Sequence, residues 1–365
     1  MKGIQITEYV KGPEALKVVD LPDLAQEDAE YTIKVHAAAA NFFDILQIQG
    51  KYQHQPPFPW TAGVEFAGVV VAVPKTPETK PLYPVGTRVF GASQGAYAEY
   101  VHAAEQTILP VPEGWSFADA AGLFVTAPTS YSALVQRAGI KKGDWVLVHA
   151  AAGGVGSAAV QSRCLSRLES KKQERKRRPP SCANIWTFAV AKAFGATVIA
   201  TASTPRKLEI AKKFGADHVI SYNDPSWPAQ VKELTPDEKG VDIVYDPVGL
   251  VDKSTKCTAW NGRILIIGFA GGQIEKVAMN KVLLKNISLV GLAWGAHSLH
   301  QPELVPVVWR GVLDLVRQGK LTGTQYTDEA FVGLDRVKDG LKALGGRDTW
   351  GKVIIKIAPE TDSKL

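Results

Sequence analysis

The sequence predicts an α/β protein of two domains, one rich in short strands and one built on a doubly wound parallel sheet. Three observations predict it. In the first part apolar residues alternate in short runs broken by Gly and Pro, from about Ala118 apolar strands alternate with amphipathic helical stretches, and one of those strands ends in a glycine-rich turn. At 365 residues, 45% hydrophobic and 21% charged, the chain has the length and apolar content for two buried cores.

The elements follow in order. YTIKVHA at 31–37 alternates, VEFAGVVVAV at 64–73 reads as a strand, and GTRVF and GAYAEYVHA follow after turn residues, which suggests a compact barrel-like domain. The strands of the second pattern are WVLVHA, ATVIATA, HVISY, VDIVYD and GRILIIGF, with helical stretches such as PRKLEIAKKFG between them. Near Leu289 to Gly295 the alternation stops; helical stretches at 304–318 and 333–344 and a last strand, KVIIKI, complete the chain, with no internal repeat. No apolar run reaches the roughly 18 residues of a membrane span, and MKGIQITEYV is neither a signal nor a transit peptide, so synthesis in the cytosol is expected. Cys164, Cys182 and Cys257 form no CxxC unit, which argues for reduced thiols and against a cysteine-built metal site.

WVLVHA runs into Ala151-Ala152-Gly153-Gly154-Val155-Gly156, an AxGxxG turn. Glycines there permit a tight turn and close approach of backbone N–H groups to a pyrophosphate at a helix amino end, so Ala151, Gly153, Gly154, Val155 and Gly156 are candidate cofactor contacts. In such a unit the residue that reads the ribose lies about 20 residues beyond the glycines. Ser203 instead lies 50 residues past Gly153; without the 28 residues Ser162 to Ala189 the distance is 22, and the helix reads GGVGSAAVQ-VAKAFGA unbroken.

Ser162 to Ala189 is therefore an insertion in the first helix of the dinucleotide unit, and Pro179, Pro180 and the run KKQERKRR oppose a helical reading of it. It holds eight of the 42 basic and two of the 36 acidic residues, so the net charge of +6 resides entirely in it and the rest of the chain is neutral. A neutral body gives no reason to expect nucleic-acid binding. Three readings stay open: a solvated loop, a basic address or nucleic-acid arm, and a retained intron whose 28 codons keep the frame.

The end of ATVIATA offers no Asp or Glu for a ribose 2′-hydroxyl; Ser203-Thr204-Pro205-Arg206-Lys207 follows instead. A hydroxyl and two cations suit a 2′-phosphate, so NADPH is expected, with Ser203 and Lys207 as contacts.

Asn41-Phe42-Phe43-Asp44, Gln49-Gly50-Lys51-Tyr52, Pro59-Trp60-Thr61-Ala62-Gly63-Val64-Glu65, AAGGVG and VYDPVG together resemble the medium-chain dehydrogenase/reductase superfamily, nearest its zinc-free, zeta-crystallin-like quinone oxidoreductases. The resemblance runs over residues 1–358 apart from the insertion, which cuts the longest motif just before its basic position, Lys192. It implies a GroES-like catalytic domain at 1–124, a Rossmann NADPH-binding domain at 125–291 carrying the 162–189 insertion, a return to the catalytic domain at 292–358 and a tail at 359–365, with the active site between the domains. Zinc alcohol dehydrogenases of the superfamily place Cys where this chain has Asn41 and His where it has Val64, and no cysteine precedes Cys164, so a zinc-independent reaction is implied.

By the same resemblance Asn41 lies beside the nicotinamide and Tyr52 in the substrate cleft, both as hydrogen-bond donors to an oxygen that gains charge. Thr129 is implied near the carboxamide, Tyr222 beside the adenosine phosphate, Gly268, Phe269 and Ala270 at a strand's carboxyl end, and Lys352 at the cofactor. Without a Lewis acid, hydride transfer needs an acceptor conjugated to a carbonyl: a quinone, an enone or enal, or a 2-enoyl thioester (enoyl-CoA). A homodimer is implied, and a non-catalytic NADPH-binding or RNA-associated protein is the alternative from another class. Ser363-Lys364-Leu365 matches the address read by the peroxisomal import receptor, so a peroxisomal location with a cytosolic pool is expected.

Overall fold

The alternation at 31–37 becomes β1 (Glu30–Ala39) in a computed structural model that describes residues 1–25, 27–75, 80–153, 161–162, 187–188 and 190–359. Its alternate residues Tyr31, Ile33 and Val35 enter one core with Phe66, Val70, Val89 and Val101. Further along, Ala38 and Ala40 enter a second core with Ile4, Ile6, Ile45, Trp60 and Tyr97. After β1 come α1 (Phe42–Ile48), β2 (Glu65–Ala72), β3 (Arg88–Ala92), β4 (Tyr100–Ala104), β5 (Ile108–Pro110) and α2 (Phe117–Ala121).

The next stretch holds α3 (Thr126–Tyr131), β6 (Trp145–Val148), β7 (Thr197–Ala202), α4 (Pro205–Lys213), β8 (His218–Ser221), α5 (Trp227–Leu234), β9 (Val241–Asp246), α6 (Val251–Ser254), β10 (Thr258–Ile266), α7 (Met279–Lys285), β11 (Ser288–Gly291) and α8 (Leu304–Arg317). The six strands pair in parallel in the order β8-β7-β6-β9-β10-β11. That is a Rossmann sheet, and its order reverses between β6 and β9, where such folds take ligands at the carboxyl ends of the strands. β11 closes the alternation at Gly291, within the expected Leu289 to Gly295; it is a short edge strand, half-exposed, so its apolar signal is weak.

The chain then returns through β12 (Phe331–Val332), α9 (Val337–Gly345) and β13 (Ile354–Lys356). β13 pairs antiparallel with β1, Ile354 opposite Ala39, in a sheet ordered β12-β13-β1-β2-β3-β5, with β4 also on β1. Phe331, Val337, Leu341 and Ile355 join the core that holds Ile4 and Trp60, so both ends of the chain build one unit.

Two compact units result, Met1–Thr126 with Gly323–Leu365 and Ala127–Thr322. The second division falls later than the expected 291/292. The reason is α8, which buries Val308, Trp309, Val312 and Leu315. Its Gly311 approaches α3 so closely that a Cβ there would stand 2.2 Å from the Tyr131 hydroxyl oxygen.

At the insertion, Gln161–Ser162 pairs antiparallel with Thr187–Phe188, so the chain leaves and re-enters at adjacent points. Val190–Ala193 is helical, whereas Gln161, the last residue of the helical reading before the insertion, stands in the strand pair and 154–160 lie outside the described residues, as do 163–186 and the tail residues Ser363, Lys364 and Leu365. Among the described residues no helix is long and apolar enough to cross a membrane.

Candidate active site

In the first unit α1 begins at Asn41, whose backbone is extended (φ −123°, ψ 150°) and whose N–H donates to Asp44 Oδ2 at 2.8 Å. That bond satisfies one of the donors a helix start leaves open. The Asn41 side chain turns inward. Its Nδ2 donates to Glu65 Oε2 at 3.1 Å and to Ala39 O at 3.3 Å, while its Oδ1 accepts from Lys352 Nζ at 2.7 Å. Lys352 Nζ also stands 2.8 Å from Glu65 Oε2, and Glu65 Oε1 accepts the Val125 N–H at 2.9 Å. All three side chains are buried, and a buried carboxylate persists only when paired and hydrogen-bonded, as Glu65 is.

Asp44 extends the cluster. Its Oδ2 also accepts from the Tyr97 hydroxyl at 2.7 Å, whereas its buried Oδ1 has no partner among the described residues. Gly63 makes room for the tyrosine: at φ +85° a Cβ would lie 2.5 Å from the Tyr97 ring. Burial pushes the Asp44 carboxyl up to about 7, against the Tyr97 and Asn41 hydrogen bonds and the Lys352 charge.

Tyr52 stacks on Phe43 of α1 with centroids 5.3 Å apart and planes at 23°. Its phenol lies above the usual tyrosine value because of partial burial and then the nearby Asp44 charge, so it is a protonated donor at neutral pH. The structure thus gathers Asn41, Tyr52 and Lys352 around α1. In the structure Asn41 directs its amide N–H groups to Glu65 and Ala39, and Lys352 bonds to Asn41 and Glu65.

In the second unit Ala151, Gly153, Ser203, Tyr222 and Gly268 to Ala270 follow the carboxyl ends of parallel strands. Ala151 follows β6 and donates its N–H to Thr201 O at 3.0 Å, and the Gly153 N–H closes a turn on Ala150 O at 2.8 Å. Gly154, Val155 and Gly156 lie outside the described residues. After β7, Ser203 O accepts from Asn223 Nδ2 at 2.8 Å, which joins its loop to the one carrying half-buried Tyr222. Thr204 caps α4 by accepting the Lys207 N–H at 3.3 Å, placing Lys207 in the first turn.

Gly268, Phe269 and Ala270 follow β10. The Ala270 N–H donates to Pro247 O at 3.0 Å and the Gly271 N–H to Val248 O at 2.8 Å, so this loop is zipped to the one after β9. Phe269 is 41% exposed, which leaves its ring available to a ligand. Thr129 sits half-buried on α3, whose next residue, Ser130, places its hydroxyl 3.1 Å from the buried Tyr245 hydroxyl of β9. Lys192, the basic position behind the insertion, pairs with Asp217 at 2.7 Å.

Several residues here carry no role in the sequence reading: Asp44, Glu65, Tyr97, His149 and Asp246. Asp44, Glu65 and Asp246 stand inside the motifs NFFD, TAGVE and VYDPVG, and an acid in an otherwise apolar motif was the available signal. Asp246 accepts the N–H groups of Val248, Gly249 and Leu250 and so shapes the turn after β9.

Comparison with known proteins agrees with this layout. An alcohol dehydrogenase GroES-like domain matches residues 27–113 and a zinc-binding dehydrogenase domain matches 185–314. A quinone oxidoreductase-like protein 2 homolog of Nematostella vectensis is 35% identical over 333 residues, 90% of this chain and 81% of that protein. This chain belongs to the quinone oxidoreductase-like family of medium-chain dehydrogenases/reductases. A further family member, human quinone oxidoreductase, is 30% identical over 361 residues, 97% of each chain. The solved quinone oxidoreductase of Escherichia coli complexed with NADPH superposes with a TM-score of 0.79 at 26% identity, covering 98% of this chain and all of that one. The two-domain fold is shared with that solved structure.

Proposed function

We propose that this quinone oxidoreductase-like chain is an NADPH-dependent oxidoreductase that reduces quinones or α,β-unsaturated carbonyl compounds without zinc. The carrying observation is the buried Asn41–Lys352–Glu65 cluster. It occupies the position where zinc alcohol dehydrogenases, by the resemblance above, hold a cysteine ligand; in this chain an ammonium sits 2.7 Å from the Asn41 oxygen. A lysine cation and an amide do not fit a zinc site, whatever the matching domain is called. The loop Ser203 to Lys207 supports the cofactor: it pairs a hydroxyl with cations and has no acid to repel a 2′-phosphate.

Bound NADPH supplies the hydride. The chain's own residues do the rest. Tyr52, protonated and anchored on Phe43, donates to the oxygen where negative charge gathers, and Asn41 with Lys352 and Glu65 keeps α1 in place beneath it. Without a Lewis acid on the carbonyl, a conjugated acceptor is favoured, because it accepts hydride at a carbon remote from the oxygen while the charge gathers on that oxygen. The test is NADPH oxidation with a quinone, an enal and an enoyl-CoA offered in turn. Quinone or enal turnover that falls by about ten- to a hundredfold in Tyr52→Phe is expected. Turnover of enoyl-CoA alone would move the assignment to a thioester reductase, and NADPH binding without turnover would favour a non-catalytic protein.

The proposal includes a homodimer, supported by the open edge of β11 and the exposed Ile274, Met279, Leu283 and Leu284 nearby. Light scattering at the mass of one chain would exclude it. It also includes peroxisomal delivery through Ser363-Lys364-Leu365, which imaging of a fluorescent fusion with and without these residues tests.

A further inference from the structure

His149 is the last residue before the turn that begins the dinucleotide loop, and it is fully buried together with Thr201, Ser254 and Trp227. Its Nδ1 lies 2.7 Å from Thr201 Oγ1 on β7, and its Nε2 lies 2.9 Å from Ser254 Oγ on α6. The Ser254 hydroxyl proton is already given to Leu250 O at 2.7 Å, so Ser254 faces the imidazole as an acceptor. Nε2 therefore carries the ring proton, and bare Nδ1 accepts from the Thr201 hydroxyl. Burial lowers the imidazole's proton affinity below that of an ordinary histidine, although the Asp246 charge opposes this, which keeps the ring neutral in this tautomer. The Trp227 ring stands edge-on at 5.1 Å and closes the remaining side.

These bonds join three loops that leave adjacent strands. The His149 backbone N–H donates to Tyr245 O of β9, and the ring reaches β7 two residues before Ser203. Through Ser254 and Leu250 the ring also reaches the turn at 247–250 that Asp246 shapes. We infer that His149 is a positioning residue for the dinucleotide: as the Nε2–H tautomer it sets the spacing between the loop at 150–153, the loop at 203–207 and the turn at 247–250. The inference rests on the NADPH reading above. An extended ligand that touches all three loops feels their spacing, whereas a fragment held by one loop does not.

The experiment compares the full chain with Ser254→Ala and, should that variant fail to fold, with Thr201→Val. Affinities for NADPH and for 2′,5′-ADP, which carries only the adenosine end, are measured by titration, together with the ¹⁵N spectrum of His149. The expected result is a loss of NADPH affinity of about tenfold with 2′,5′-ADP binding retained, and a spectrum with Nε2 protonated and Nδ1 bare. Equal loss of both ligands would mean a general weakening of the fold and overturn the inference, as would unchanged NADPH affinity or a protonated Nδ1. If the unaltered chain bound neither ligand, the NADPH reading would fail and the positioning role with it, while a bare Nδ1 would show that the hydrogen-bonded tie itself is as described.

Discussion

In the first unit three ionisable side chains, Asp44, Glu65 and Lys352, are buried around one asparagine, and one Asp44 oxygen has no partner among the described residues. In the second unit His149, Thr201 and Asp246 at the strand ends and Ser254 on α6 are buried polar groups bonded to one another or to the backbone of the turn after β9. The difference teaches how each region answers to change. A cluster held by opposite charges is strongly upset when one charge is removed, because the other stays buried and unpaired. A network in which the one carboxylate, Asp246, is held by backbone N–H groups and the other members are hydroxyls and an imidazole loses one hydrogen bond at a time, with smaller effects on stability and larger ones on where the loops sit.

The comparison is most open to breakage at Lys352. Lys352→Met leaves Glu65 buried without its cation, and a loss of about 3–5 kcal/mol is expected in urea denaturation of the full chain. Unchanged stability would remove the argument that this unit depends on charge pairing. Asp44 sharpens the same point through pH. Its carboxyl, raised to about 7 by burial, is protonated in the folded chain at pH values where the unfolded chain has already lost that proton. The folded state therefore binds more protons between roughly pH 4 and 7, and stability falls as pH rises through that window, by at most roughly 4 kcal/mol. Asp44→Asn, with no carboxyl to titrate, should flatten this slope; an unaltered slope would place the titration elsewhere. In the second unit Lys207→Ala should weaken NADPH by about tenfold and leave NADH unchanged, because only the 2′-phosphate is lost as a partner. Equal weakening of both would show that Lys207 does not read that phosphate.

Much of the architecture was legible before any coordinates. WVLVHA, ATVIATA and VDIVYD each became a strand of the Rossmann sheet, because a strand buried on both faces leaves a continuous apolar run, and HVISY became its half-exposed edge strand. Sequence spacing likewise marked the insertion, whose flanks Gln161–Ser162 and Thr187–Phe188 lie side by side. The edge strand Ser288–Gly291 leaves little pattern because its residues are half-exposed, and the packing of α8 on Tyr131, far back in the chain, leaves no local signal.

The sequence by itself determined the two-domain α/β class, the glycine-rich turn and the lack of an acid at Ser203. Those follow from local pattern and residue chemistry. Only the tertiary structure decided that Lys352 meets Asn41 across 311 residues of sequence, that Tyr97 and Asp44 share a hydrogen bond, and that His149 bridges Thr201 and Ser254. The physical reason is that an amide, a carboxylate or an imidazole acquires its role from its burial and its partners. Burial and partners are set when β13 closes on β1 and the parallel strands align their ends, at separations no local periodicity records.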